Sequence, residues 1–106
     1  MKVVQINANL TWVVFQDPVS RYWIGVCEAL KISSQGKTVS DLRENIDDAT
    51  NMMFRDLAER QELELFLRQH KWTLEGEMPA KPSTARFEIP YDIKRRTQDD
   101  LATVLG

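Results

Sequence analysis

The sequence predicts an α+β fold in two layers: a small, mostly antiparallel sheet of about four strands, one long helix packed across it, and a second, shorter helix. Two patterns support this prediction. Stretches of alternating polarity, typical of strands, occur early in the chain and again near residue 85. Between them, a longer stretch spaces its apolar residues by three and four positions, as a helix does. Strands that cluster before the helices indicate a sheet and helices in separate layers.

The composition excludes several classes of protein. The 106 residues suffice for one hydrophobic core, and 42% hydrophobic and 28% charged residues are ordinary for a globular protein. A net charge of −2 argues against a dedicated nucleic-acid binder, which is normally strongly basic. No apolar run is long enough to cross a membrane, and no signal-peptide pattern opens the chain. Cys27 is the only cysteine, which excludes an intrachain disulfide and favours a reducing cytoplasm.

The first strands come from the N-terminal third. Residues 2–16 alternate between apolar and mostly polar positions, and Asn7 to Asn9 predicts a bulge or turn that divides this run. Asp17-Pro18 is a turn signal, and its short connection predicts that residues 22–27 pair antiparallel with the preceding strand. Residues 31–35 complete the group as a third short strand.

The long helix follows a corner at Gly36-Lys37-Thr38. Glycine permits a positive φ there, and Thr38 is a natural N-cap with Asp41 three residues later. The corner resembles a phosphate loop only superficially, because the first glycine of that motif is absent. We expect the helix to span residues 39–58. Its apolar stripe consists of Val39, Leu42, Ile46, Ala49, Met53 and Leu57.

The C-terminal half supplies the remaining elements. Residues 61–70 have helical spacing, and residues 84–89 alternate as a further strand that Pro90 ends. Helical spacing returns after a possible N-cap at Asp92. These patterns predict one domain over residues 1–90 and a C-terminal helical tail, which can fray, over residues 91–106.

Charge is concentrated on the predicted helices. Residues 38–64 carry eight acidic and three basic side chains, a net charge of −5, which repels nucleic acid and favours a basic partner. Met52 falls on the helix side opposite the apolar stripe, within this acidic region. The predicted partner-binding residues are Asp41, Glu44, Asp48, Met52, Arg55 and Glu59. A possible DNA contact comprises Arg86, Lys94, Arg95 and Arg96.

We predict no catalytic, cofactor-binding or metal-binding residues. His70 is the only histidine and lacks the companions of a zinc site or a catalytic triad. Asp47 and Asp48 are adjacent on a helix and point about 100° apart, so they do not form one metal site. Cys27 is expected to be a small core residue. The three tryptophans, Trp12, Trp23 and Trp72, are expected to be core residues as well.

The stretch from Tyr22 to Leu57 resembles the HicB-type antitoxins of toxin–antitoxin pairs. The matching features are the aromatic-rich strand Tyr22 to Val26, the corner Ser34-Gln35-Gly36-Lys37-Thr38 and the helix that follows. Ser34 and Lys37 depart from the family's Thr-Gln-Gly-Asp-Thr-like corner. Residues 27–32 replace its Leu-Pro-Gly-Cys segment.

The resemblance implies a partial ribonuclease-H-like fold without nuclease activity. It implies that the chain binds and neutralises a small basic toxin that cleaves mRNA. Many such antitoxins carry a C-terminal DNA-binding module. Residues 84–106 resemble the opening of a ribbon-helix-helix, but the second helix is missing, so autonomous DNA binding is not expected.

Two other functions are open at this point. The chain could be a stand-alone structural or oligomerisation domain of the same fold, a dimer or tetramer that pairs through its apolar tail helix. Alternatively, it could be a metal-dependent ribonuclease-H-like hydrolase that uses Asp47 or Asp48. We rank both below a cytoplasmic antitoxin-like binding domain.

Overall fold

A computed structural model describes residues 2–96, and they form an α+β fold, which confirms the predicted class. Instead of one sheet of four strands, these residues form a three-stranded and a four-stranded sheet. The described residues also include a 3₁₀ turn at Pro82–Thr84. The elements in chain order are β1 (Lys2–Asn7), β2 (Leu10–Gln16), β3 (Trp23–Cys27), β4 (Ile32–Gly36), α1 (Val39–Glu59), α2 (Leu63–His70), β5 (Thr73–Glu75), β6 (Ala85–Glu88) and β7 (Tyr91–Arg95).

The chain divides into two compact units, each made from separate stretches of sequence. Within the described residues, unit 1 contains residues 2–9 and 47–90, and unit 2 contains residues 10–46 and 91–96. α1 therefore contributes its N-terminal part to unit 2 and its C-terminal part to unit 1. Over residues 2–96, no helix combines the length and the apolar character needed to span a membrane.

The sheet of unit 1 has the order β5-β1-β6, with β1 antiparallel to β5 and parallel to β6. Alternation places Val4 and Ile6 of β1 and Phe87 of β6 in the core, where each is almost completely buried. The predicted division after Asn7 is confirmed, because β1 ends there. β5 was not predicted, since three residues are too few to establish a period.

Both helices of unit 1 end in a left-handed residue that is not glycine. Gln61 has φ 58°, and the N–H of Glu62 donates to the carbonyl of Leu57 (2.8 Å), which closes α1. Lys71 has φ 59° and closes α2 in the same way, with Trp72 N–H donating to Leu67 O (2.9 Å). The left-handed turn at Gln61 explains why α2 begins at Leu63 and not at the predicted residue 61.

The sheet of unit 2 has the order β4-β3-β2-β7. β2 and β3 pair antiparallel, as the short connection between them predicted. In that connection the Asp17 carboxylate accepts the backbone N–H of Ser20 (2.7 Å). Hydrogen bonds from Ser20, side chain and backbone, hold the pKa of Asp17 below its usual value, which favours the charged form in the turn.

The predicted helix beginning at Asp92 is wrong for residues 91–95, which form β7. This strand runs parallel to β2, and Arg96 N–H extends the ladder to Val14 O (2.8 Å). Half-buried Tyr91 and Ile93 alternate with exposed neighbours, so the true period is two and not three or four. The rest of the predicted tail, residues 97–106, lies outside the described residues.

The corner before α1 has the predicted cap but a different reason for its glycine. Thr38 Oγ1 accepts the backbone N–H of Asp41 (3.0 Å), which confirms the N-cap. Gly36, however, does not have a positive φ. A methyl group at Gly36 would lie 2.4 Å from the backbone nitrogen of Leu42, so glycine is required here by close approach of the chain.

The apolar stripe of α1 is only partly as predicted. Leu42, Ile46 and Leu57 are buried, whereas Met53 is half-buried and Phe54 is completely buried. The helix also buries two polar residues, Thr50 and Asn51. Because Thr50 and Asn51 are polar, the apolar periodicity of the sequence did not predict that they are buried.

Candidate functional site

The six predicted partner-binding residues are divided between the two units. Asp41 and Glu44 belong to unit 2, and the other four belong to unit 1. Five of the six are exposed to solvent, and Met52 has 66% of its surface accessible. The exception is Arg55, which is half-buried. The two groups are therefore two local surfaces and are described separately.

In unit 2, Asp41 and Glu44 line an open groove of about 440 Å³ beside the start of α1. Asn45 lies in the same groove and donates from its side-chain amide to the carbonyl of Gln35 (2.7 Å), which fastens α1 to the end of β4. Tyr22 contributes an aromatic ring to the lining. Two carboxylates and a tyrosine form a suitable environment for an arginine or lysine side chain.

The same groove contains Lys37, and sequence reasoning did not assign Tyr22 or Lys37 to a site. Lys37 supplies one positive charge against the two carboxylates, so the groove keeps an acidic excess. No sequence signal identified Tyr22, because its strand position looked like any other alternating residue.

In unit 1, the exposed predicted residues are Asp48, Met52 and Glu59. Asp48 lies 3.5 Å from the guanidinium of Arg86, a long contact between two side chains that are 60% and 36% accessible. Such exposed pairs contribute little, so the carboxylate remains available to a cationic partner. Met52 supplies an adaptable apolar surface on the same segment of helix.

Arg55, the fourth predicted partner-binding residue of unit 1, is half-buried and contacts the sheet. Its guanidinium donates to the backbone carbonyl of Ala85 (3.2 Å) at the start of β6. Its Nε is buried without a hydrogen-bond partner. Arg55 therefore holds the edge of the unit 1 sheet through its hydrogen bond to Ala85.

The four basic residues of the possible DNA contact are not assembled into one patch within either unit. Arg86 belongs to unit 1 and contacts Asp48. In unit 2, Lys94 and Arg95 are neighbours on β7 and point to opposite faces of the sheet, and half-buried Arg96 follows directly after this strand. The Arg95 guanidinium lies over the Trp23 ring, 5.4 Å from its centroid, a cation–π contact within the sheet.

His70 and Cys27 occupy packed positions. The His70 ring lies between Phe66 and Trp72, with centroid distances of 4.3 and 4.5 Å, and its Nδ1 is 2.9 Å from the carbonyl of Phe66. Cys27 is completely buried, and this burial raises the pKa of its thiol. Trp12 is buried, as predicted, whereas Trp23 and Trp72 are half-buried.

Within the described range, no three histidine, cysteine, aspartate or glutamate side chains approach closely enough to hold a metal ion. Asp47 and Asp48 are both exposed on α1. Comparisons with protein-family models, curated proteins and solved structures give no match to this chain.

Proposed function

We propose that this chain is a cytoplasmic, non-enzymatic protein-binding domain that acts as a HicB-type antitoxin does. Its partner would be a small basic toxin that cleaves mRNA. The observation that carries the proposal is the exposure of charge over residues 38–64. All eight acidic residues of that stretch are exposed to solvent.

The three basic residues of the same stretch offset this charge incompletely. Arg43, Arg55 and Arg60 reduce the eight negative charges to a net charge of −5, and Arg60 pairs with Asp56 (3.0 Å) and Glu62 (3.1 Å). The acidic excess therefore faces solvent, where it can attract a basic protein and accelerate its association. The resemblance of the strand, corner and helix to HicB-type antitoxins supports a small basic toxin as this partner.

The test is co-expression with the small basic protein encoded by the adjacent reading frame. We expect a stable complex, relief of toxicity, and binding that weakens as salt is raised, because exposed charges are screened. The absence of both a complex and relief of toxicity would exclude this function.

Two charge-reversal variants locate the contact. Asp41→Lys with Glu44→Lys alters the groove of unit 2, and Asp48→Lys with Glu59→Lys alters the exposed face of unit 1. At least one pair should weaken binding about tenfold or more, since like charges at an interface are strongly unfavourable. Glu77→Lys with Glu88→Lys is the matched control, because both glutamates are exposed and lie outside α1. Equal weakening by the control would indicate an unspecific charge effect.

A further inference from the structure

The two outer strands of the unit 1 sheet differ in how their backbones are covered. β6 forms one edge, and side chains of α1 bond to its main chain: Asn51 accepts the N–H of Phe87 (2.7 Å), and Arg55 donates to the carbonyl of Ala85 (3.2 Å). Proteins commonly cover an edge strand, because its unpaired N–H and C=O groups can otherwise pair with another chain. The edge at β6 is therefore closed to such pairing.

β5 forms the other edge, and it is open. Within residues 2–96 its main chain pairs with β1 and with no other element. In contrast to β6, no side chain of that range forms a hydrogen bond with the main chain of β5; the bond from Asn7 goes to the hydroxyl of Thr73. A strand that pairs on one side only directs N–H and C=O groups outward on the other side, where a ligand can bond to them.

An open groove of about 440 Å³ is lined by α2, by β5 and by the segment that follows β5. Its lining is largely apolar: Leu67 is buried, and Trp72, Leu74 and Met78 are half-buried. The Trp72 ring stacks on the His70 ring with a centroid distance of 4.5 Å. This contact fixes the ring before a ligand binds, which lowers the entropic cost of binding.

The charges in and beside the groove are nearly balanced. Three acidic and two basic side chains line it or lie next to its lining residues in the sequence, namely Glu64, Arg68, Lys71, Glu75 and Glu77. Their net charge is −1, compared with −5 over residues 38–64. The groove therefore lacks the strong acidic excess that attracts a basic protein, and its lining suits an apolar ligand with little net charge.

We propose that this groove binds an extended, apolar segment of another protein, which joins the unit 1 sheet as a strand beside β5. The main chain of the segment would pair with the outward N–H and C=O groups of β5, and its alternate side chains would enter the groove. A helix has already paired its backbone groups internally, except at its ends, so the open strand edge selects an extended chain. This site is separate from the acidic surface of α1.

Phage display of random linear peptides against the isolated chain tests this proposal. We expect the enriched peptides to carry large aliphatic side chains at alternate positions, and fluorescence anisotropy gives the dissociation constant of a synthetic one. Met78→Asp should raise this constant about tenfold or more, because it places an unpaired charge in an apolar groove. Met52→Asp is the matched control: Met52 is an exposed methionine of unit 1 outside the groove, and its change should leave the constant unchanged.

N-methylation of the peptide gives a second measurement, with the protein left unchanged. Each methyl group replaces one backbone N–H, so methylation at the residues that face β5 should weaken binding about tenfold or more. Methylation at the intervening residues, whose N–H groups point away from the sheet, should have little effect. An absence of enriched peptides would overturn the proposal, as would equal losses at all methylated positions or in both methionine variants. Because no toxin is present, each result is independent of the proposed antitoxin function.

Discussion

In unit 1, buried and partly buried side-chain hydrogen bonds join α1 to the sheet, whereas in unit 2 the bond of this kind made by Asn45 is exposed, and α1 comes close to the sheet because glycine has no side chain. Asn51 accepts the backbone N–H of Phe87 (2.7 Å), and Arg55 donates to Ala85 O (3.2 Å). In unit 2, Gly36 and Gly25 leave the space that the helix occupies. The first arrangement depends on particular polar atoms, and the second depends on the absence of an atom. Different substitutions should therefore destabilise the contact between α1 and the sheet in each unit.

The largest expected effect is that of Gly36→Ala in unit 2. The added methyl group would lie 2.4 Å from the nitrogen of Leu42 and 2.8 Å from the carbonyl carbon of Asp41. These are backbone atoms in the first turn of α1, so relief requires the helix itself to move. We expect a loss of about 3 kcal/mol or more in the free energy of unfolding.

Urea unfolding followed by circular dichroism measures the effect of Gly36→Ala. The control is Gly76→Ala, where no atom lies within 4 Å of the added methyl group but φ is +91°. The control should lose about 1 kcal/mol, from backbone strain alone. A smaller loss at Gly36 than at Gly76 would contradict the account based on close approach.

The second effect, in unit 1, is that of Asn51→Ala. This change leaves the buried N–H of Phe87 without an acceptor, and it should cost about 2 kcal/mol in stability. Met52→Ala is the matched control: Met52 is the next residue on the helix and is exposed, so its change should stay within about 0.5 kcal/mol. Amide hydrogen exchange at Phe87 should accelerate in Asn51→Ala only. An unchanged exchange rate would refute the role of this hydrogen bond.

Gly36 and Asn51 also show how much of the structure could be predicted from the sequence. The strand division at Asn7, the antiparallel pairing of β2 with β3 and the Thr38 cap depend on neighbours within a few positions, and all three were predicted. Glycine at position 36 was predicted to have a structural role, but the predicted reason was a positive φ. Its real constraint comes from the backbone of a helix that the local sequence does not place in space.

Asn51 could not be identified in advance, because its partner lies 36 residues away. A polar residue within an amphipathic helix is normally assigned to the solvent side. The same limit applies to the candidate site. The exposure of the acidic residues followed from the helical period, whereas the inward position of Arg55 depended on a contact with β6 that no local pattern records. β7 was mistaken for a helix because a five-residue strand offers few alternations.

The third effect, in unit 2 again, is that of Gly25→Ala. Here the added methyl group would meet side chains and not backbone, with the nearest atoms at 3.3 Å on Trp12 and 3.4 Å on Ile46. Side chains can yield by small rotations, but Trp12 is completely buried and has little room. We expect a loss of about 1 kcal/mol, clearly less than at Gly36. The near-ultraviolet circular dichroism of Trp12 should change, and a loss as large as that of Gly36→Ala would remove the distinction between the two glycines.

The smallest effect tests whether the contribution of an asparagine hydrogen bond to stability depends on burial. Asn45 also fastens α1 to a strand, through its bond to Gln35 O (2.7 Å), but it is exposed whereas Asn51 is 5% accessible. In Asn45→Ala, water replaces the lost donor, and alanine favours the helix more than asparagine does by about 0.5 kcal/mol. The two terms have opposite signs, so the free energy of unfolding should change by less than about 0.5 kcal/mol. A loss at Asn45 equal to that at Asn51 would show that the hydrogen bond itself, and not its burial, determines how strongly each asparagine holds the helix to its sheet.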